Sequence, residues 1–199
     1  MVTIREEKIA DMVAREALLD DAYGAARFAK TSQRLREGRQ AADGLSLVAV
    51  DRGQLVGTVR LWDVSAGPGR AALLLGPLAV DPAHRNRGIG SALMRRAISR
   101  ARLAEHGAIL LVGDAAYYGR FGFAATLTAD LWMPGRYERD RLLALELRPA
   151  ALAGRADLSA PPAGSRRSPT STGLSPPTTV RRDAPPEHNP AMLEDETPA

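Results

Sequence analysis

The stretch that decides the fold is VDPAHRNRGIG, which occupies residues 80–90. It follows an apolar run at residues 71–80 and precedes an amphipathic pattern that reaches about residue 106, so it is predicted to join a strand to a helix. Backbone amides at a helix N-terminus have no intrahelical partner and lie at the positive end of the helix dipole. Gly88 and Gly90 let a ligand approach the backbone, and Arg85 and Arg87 add positive charge. The stretch therefore predicts an anion site that suits phosphate.

The apolar run before this loop is interrupted by Gly76-Pro77. Because proline has no amide hydrogen to donate, a strand that contains it must bulge or splay at that point. An ordinary edge strand with a proline is the alternative interpretation.

The remaining pattern indicates alternating strands and helices. Two β-rich runs around a turn at residues 51–54 predict a hairpin. The order of elements predicts a mixed α+β or α/β domain. The other predicted elements are a strand at 2–5, a helix at 11–23, a second helix at 25–36, a strand at 108–112 and a last strand at 142–147.

The composition changes at about residue 150, where prolines become frequent among Ser, Thr, Gly and paired arginines. Such a segment buries too little apolar surface to offset the entropy of ordering it. We therefore predict one domain at residues 1–149 and a disordered tail rich in Pro, Ser, Thr and Arg at residues 150–199.

Composition also limits the function classes. The chain has 199 residues and no cysteine, which excludes disulfides, thiolate metal sites and a cysteine nucleophile. No apolar run is long enough to cross a bilayer, and the N-terminus does not resemble a signal peptide. We expect a cytoplasmic protein with no membrane partner and no metal.

A second motif, YGRFGF at residues 118–123, follows the strand predicted after the amphipathic helix. With Arg85, Gly88 and Gly90 in the pattern Arg/Gln-x-x-Gly-x-Gly/Ala, the sequence resembles the GCN5-related N-acetyltransferase (GNAT) superfamily. The segment GDAAYY at residues 113–118 is similar to that of a bacterial subgroup of the family. The resemblance covers residues 2–147 and implies a GNAT-like fold with a splayed pair of central parallel strands.

The resemblance implies that acetyl-CoA is the cosubstrate. In this family the splayed strands expose backbone to the pantetheine arm, and the loop amides hold the pyrophosphate. The basic stretch around the loop would suit the other phosphate of the cosubstrate. It consists of Arg85, Arg87, Arg95, Arg96, Arg100 and Arg102. The cofactor-binding residues implied here are Leu78, Ala79, Val80, Arg85, Asn86, Arg87, Gly88, Ile89, Gly90 and Ser91.

Tyr118 matches the position of the family's catalytic acid, which protonates the departing thiolate. A phenol has an ordinary pKa near 10 and stays protonated at neutral pH. The alternative is that Tyr118 only packs beside Phe121 and Phe123, and its neighbour Tyr117 is the weaker candidate. The general base is left open among Glu16, Asp20, Asp63, His84 and a chain of water molecules, and the oxyanion donor is expected to be a strand amide near Leu78.

The expected reaction is direct attack of a primary amine on acetyl-CoA, with a small-molecule or peptide acceptor that the sequence does not identify. A non-catalytic acyl-CoA sensor is the first alternative. A dinucleotide-binding oxidoreductase fits less well, because the third glycine position is Leu93. A nucleic-acid-binding module would use the basic stretch but lacks a recognised motif. A homodimer remains open.

Overall fold

The computed structural model of the chain describes residues 1–161. Its main element is a six-stranded mixed sheet in the order β1-β2-β3-β4-β5-β7. This confirms the predicted mixed α/β class. The strands of this sheet are β1 (Val2–Glu6), β2 (Ser46–Asp51), β3 (Gln54–Ser65), β4 (Ala71–Val80), β5 (Ala108–Val112) and β7 (Leu142–Glu146).

The helices and a second, two-stranded sheet complete the fold. The α-helices are α1 (Met12–Tyr23), α2 (Thr31–Arg34), α3 (Ile89–Leu103) and α4 (Ala115–Gly119). The short strands β6 (Leu131–Trp132) and β8 (Ala156–Asp157) pair in parallel. Short 3-10 turns lie at Ile9–Asp11, Ala25–Ala29, Pro82–His84, Thr126–Thr128 and Arg139–Arg141.

The first four strands are antiparallel neighbours, and β2 and β3 form the predicted hairpin. Arg52 and Gly53 have φ values of 51° and 85°, as a tight two-residue hairpin turn requires. By contrast, the second helix predicted at residues 25–36 is broken. Lys30 is extended, with ψ at 138°, and separates a 3-10 turn from α2.

Helix α3 packs on one face of the sheet through the apolar positions of its four-residue spacing. Leu93, Met94 and Ala97 are fully buried there. Gly57 on β3 makes this contact close, because a Cβ atom at that position would lie 3.1 Å from Leu93 Cδ1 and 3.2 Å from Ile89 Cγ2. The C-terminal part of the anion loop is thereby fixed against the core.

The opposite face is covered by α1 and by the segment that follows α4. Leu18 and Leu19 of α1 pack against Ala79 of β4. Leu131 and Met133 contribute to a separate core cluster with inward side chains of β4, β5 and β7. Between residues 1 and 161, no helix is both long and apolar enough to span a membrane.

The folded region extends beyond the predicted boundary at residue 149. Leu158 is only 2% exposed, and β8 pairs with β6. Ser159 forms an antiparallel bridge with Ser65, and the Leu152 amide donates to Glu146 Oε1 at 2.9 Å. Residues 150–161 thus pack against the domain through the buried side chains of Leu152 and Leu158. The prediction that this segment belongs to the tail is therefore wrong. The rest of the predicted tail, residues 162–199, lies outside the described residues.

Candidate functional site

The central feature of the site is a gap between β4 and β5. These parallel strands pair only at Leu73–Ile109 and Leu74–Leu110, and beyond these pairs they separate. On the other side of β4, Gly76 and Pro77 together oppose the single residue Arg60 of β3, which defines a β-bulge. The predicted splay is therefore confirmed, and it opens at the C-terminal ends of the two strands.

The anion loop follows β4 directly. Asp81 caps the turn Pro82–His84 by accepting a hydrogen bond from the Ala83 amide at 2.7 Å. Asn86 and Gly88 have φ values of 61° and 75°. Helix α3 begins immediately afterwards with no side-chain cap. The amides of its first turn are thus available to an external anion.

A cavity of about 240 Å³, here called the loop cavity, lies between this loop and the open edge of β4. Gly90 contributes to its shape, because a Cβ atom there would lie 3.1 Å from the Tyr117 hydroxyl, a contact close enough to shift that side chain. The cavity is lined by Ala22, Tyr23, Leu78, Ala79, Val80, Arg85, Gly90, Tyr117 and Tyr118.

The structure brings about half of the predicted cofactor-binding residues to the loop cavity. These are Leu78, Ala79, Val80, Arg85 and Gly90. The lining does not include Asn86, Arg87, Gly88, Ile89 and Ser91. Arg87 is turned to Asp51, whose Oδ2 atom accepts its hydrogen bond at 3.2 Å, and Ile89 is buried in the core.

A second cavity, of about 210 Å³ and here called the gap cavity, lies where β4 and β5 separate. Tyr23, Leu78 and Tyr118 line both cavities, so the two meet at these side chains. The gap cavity is lined by Glu16, Leu19, Tyr23, Arg27, Phe28, Lys30, Ser32, Gln33, Arg36, Arg60, Trp62, Leu75, Gly76, Pro77, Leu78, Leu111, Val112 and Tyr118.

Tyr118 is held at this junction by α4 and by Gly113. Asp114 caps α4, accepting a hydrogen bond from the Tyr117 amide at 3.0 Å. A Cβ atom on Gly113 would lie 2.7 Å from Tyr118 Cδ2 and closer still to Cε2, so only glycine leaves room for the ring. The ring also makes an edge contact with Phe123. Burial raises the pKa of the Tyr118 phenol above its ordinary value.

The sequence is similar to those of proteins described as GNAT acetyltransferases. A family model described as an acetyltransferase (GNAT) domain matches residues 42–125. The uncharacterised N-acetyltransferase YhbS of Escherichia coli K12 is 33% identical over 133 residues, which are 64% of this chain and 77% of that protein. The chain belongs to the GNAT acetyltransferase family. This confirms the predicted family and the enzyme class, an acyltransferase.

Solved structures of GNAT proteins agree with this fold. The crystal structure of Escherichia coli YhbS in complex with CoA has a TM-score of 0.67 at 28% identity, over 80% of this chain and 89% of that one. A GNAT family acetyltransferase from Brucella melitensis in complex with acetyl-CoA has a TM-score of 0.62 at 27% identity, over 81% and 97% of the two chains.

Sequence reasoning missed Tyr23 in this candidate site. Tyr23 is the last residue of α1, and its hydroxyl donates a hydrogen bond to the Leu78 carbonyl at the open edge of β4. Burial raises the pKa of its phenol. The helix pattern before Gly24 indicated where α1 ends, but no sequence signal connects residue 23 with residue 78.

Of the four residues weighed as a general base, only Glu16 lines the loop cavity or the gap cavity. Burial raises the pKa of Glu16, but hydrogen bonds from Arg27 and Arg15 lower it more, so the pKa lies below its usual range. Asp20 is exposed and pairs with Arg27. His84 is half-buried between Asp81 and Asp51. Asp63 lies on β3, outside both linings.

The basic stretch that follows the GNAT loop is distributed along α3. Arg100 donates to Glu6 Oε2 at 3.0 Å and to the Gly44 carbonyl at 2.6 Å. It lies eleven residues after Ile89, about 16 Å along the helix axis. Arg100 therefore stabilises the packing of α3 far from the anion loop. No group of three or more His, Asp or Glu side chains in the described part of the chain is arranged to hold a metal ion.

Proposed function

We propose that this acetyltransferase moves the acetyl group of acetyl-CoA to a primary amine by direct attack, with Tyr118 as the catalytic acid. The observation that carries the proposal is the position of Tyr118 where the loop cavity and the gap cavity meet. A donor in one cavity and an acceptor in the other would bring their reacting atoms together beside this hydroxyl.

The loop cavity fits the cosubstrate. The backbone of Leu78, Ala79 and Val80 lies along the edge of β4 that β5 leaves unpaired, which suits the amides of a pantetheine arm. The amides of residues 85–91 at the start of α3 suit a pyrophosphate, and Arg85 adds positive charge. The CoA and acetyl-CoA complexes of the two similar structures support this assignment. Bound there, acetyl-CoA supplies an activated acetyl group as a thioester.

The proposed proton transfers need one acid and an unprotonated amine. The amine nitrogen forms its bond to the acetyl carbon, and the carbonyl oxygen gains negative charge. Water takes the proton that the nitrogen loses, and the carbon–sulfur bond then breaks. Tyr118 gives its proton to the sulfur and regains one from solvent. The raised pKa of Tyr118 keeps this proton on the phenol at neutral pH.

Two further roles belong to the same proposal. The Leu78 carbonyl, which accepts from Tyr23, marks the open edge of β4, and in an extended strand the amide of the same residue lies along that edge. We assign the oxyanion donor to this amide. Because Glu16 is neutralised by two arginines, we assign removal of the amine proton to water.

The acid role is tested by Tyr118→Phe, with Tyr137→Phe as the matched control outside both cavities. We expect kcat for CoA release to fall by about a hundredfold, as loss of a general acid does, with the Kd for acetyl-CoA changed less than about threefold. Tyr137→Phe should retain full activity. Because the pKa of Tyr118 is raised, wild-type kcat should not decline between pH 7 and pH 9.5.

Unchanged turnover in Tyr118→Phe would overturn the acid role. Tight acetyl-CoA binding without CoA release for any amine would favour the acyl-CoA sensor instead. The homodimer and the cytoplasmic location remain predictions.

A further inference from the structure

The gap cavity is lined by more positive than negative side chains. Arg27, Lys30, Arg36 and Arg60 line it, and Glu16 is the one acid among its lining residues. This excess of positive charge would repel an ammonium group, so it does not favour a purely cationic amine.

Ion pairs neutralise part of the positive charge around the gap cavity. Arg15, Arg27 and Arg60 form a network with three acids around the cavity wall. The pairs are Arg15 with Glu7 and Glu16, Arg27 with Glu16 and Asp20, and Arg60 with Glu7. Three arginines therefore balance three carboxylates, and the positive charge of Arg36 and Lys30 is left over.

Arg36 is the more informative of these two residues. It is 9% exposed, and no carboxylate within residues 1–161 forms an ion pair with it. Its Nε and Nη2 atoms donate to the carbonyl and the hydroxyl of Ser32 at 3.1 and 3.0 Å. Its Nη1 atom lies 3.8 Å from the Cβ position of Gly76, at the bulge in β4.

The guanidinium of Arg36 stays charged at neutral pH. Burial lowers its pKa only to about 10. A buried charge without a counterion is costly, and proteins normally supply a partner. Since Arg36 lines the gap cavity, an anionic group on a ligand could serve as this partner.

Lys30 adds a second cation at the same wall. Its ammonium lies 4.6 Å from the centre of the Tyr23 ring, whose hydroxyl bonds to Leu78 at the junction of the cavities. Burial lowers the pKa of Lys30, and the charge of Arg36 lowers it further, so the two cations are close enough to repel each other. An anion in the gap cavity, which both side chains line, would relieve this repulsion.

We propose that the acetyl acceptor is a primary amine that also carries an anionic group, a carboxylate or a phosphate, which Arg36 and Lys30 bind. This inference rests on the proposed transferase function and specifies its substrate class. The anionic group binds beside Arg36 and Lys30, while the amine extends towards Tyr118. Polyamines and other purely cationic amines are predicted to be poor acceptors.

The test compares amines that differ only in the anionic group. Phenylalanine is paired with phenylalaninamide, and O-phosphoethanolamine with ethanolamine, and CoA release is measured for each. We expect kcat/KM to be at least about tenfold higher for the anionic member of a pair, the effect of one charge-assisted hydrogen bond. Amidation lowers the pKa of the amine, which by itself favours the amide, so a preference for the acid must come from the protein.

The variant Arg36→Gln should abolish the preference while leaving the Kd for acetyl-CoA unchanged. Arg34→Gln, which removes the same charge from an exposed position of α2, is the control and should retain the preference. The pair of amines that shows the preference indicates whether the bound anionic group is a carboxylate or a phosphate. Equal kcat/KM within both wild-type pairs, or a preference that survives in Arg36→Gln, would overturn the inference and leave the transferase intact. Absence of CoA release with every amine would contradict the proposed function itself.

Discussion

The two cavities that meet at Tyr118 are built from different parts of the chain and in different ways. Five of the residues that line the loop cavity lie within one short segment, residues 78–90, and the others lie on α1 and α4. The gap cavity is formed by long side chains from α1, the region around α2, and strands β3, β4 and β5. The shape of the loop cavity therefore depends mainly on local backbone conformation, whereas the shape of the gap cavity depends on tertiary packing. Changes in the loop cavity should alter cosubstrate binding, and changes in the gap cavity should alter acceptor choice.

Of the changes that test the difference between the two cavities, Gly88→Val in the anion loop is expected to have the largest effect. Gly88 has a φ of 75°, a conformation that a β-branched residue strongly disfavours. Strain of about 1–3 kcal/mol would distort the amides at the start of α3. We expect the Kd for acetyl-CoA, measured by calorimetry, to rise at least about tenfold.

Gly69→Val is the matched control for this change. Gly69 has a φ of 70° and open space around it, but it lies in the loop before β4, at the end of the strand opposite to Val80. Gly69→Val should lower the free energy of unfolding about as much as Gly88→Val does, without weakening acetyl-CoA binding. Equal loss of binding in both variants would show that global stability, rather than the loop, controls the affinity.

The sequence predicted the loop cavity better than the gap cavity for a physical reason. A glycine pattern between a strand and a helix specifies backbone amides within a few residues, so Leu78–Val80, Arg85 and Gly90 could be predicted together. Side-chain directions within the loop were harder to predict. Arg87 is drawn away by Asp51, which lies far from it in the sequence.

Most of the residues that line the gap cavity could not be predicted from the sequence. Arg36 and Lys30 belong to a region that was predicted as one helix but is broken at Lys30. Their approach to Gly76 and Tyr23 depends on how this region packs against β4. The domain boundary was misplaced for a similar reason, because Leu152 and Leu158 are too sparse to form a pattern and are buried only by tertiary contacts.

A smaller effect is expected from Gly113→Ala at the junction of the cavities. The added Cβ would overlap the Tyr118 ring and displace its hydroxyl. Because a small misplacement of a catalytic group is costly, kcat should fall by about tenfold. The Kd for acetyl-CoA and the ratio of kcat/KM between paired acceptors should change little.

Gly119→Ala, at the end of α4, adds the same methyl group in open space and should leave kcat unchanged. If Gly113→Ala instead alters cosubstrate affinity as strongly as Gly88→Val does, the two cavities do not act separately on cosubstrate binding and acceptor choice.

The central claim, that the donor and the acceptor meet at Tyr118, is tested most directly by a crystal structure of the protein with CoA. The account predicts the pyrophosphate on the amides of residues 85–91 and the CoA sulfur within about 3.5 Å of the Tyr118 hydroxyl, the range of a catalytic hydrogen bond to sulfur. A sulfur atom well outside hydrogen-bonding reach of Tyr118, or a CoA molecule bound outside the loop cavity, would contradict it.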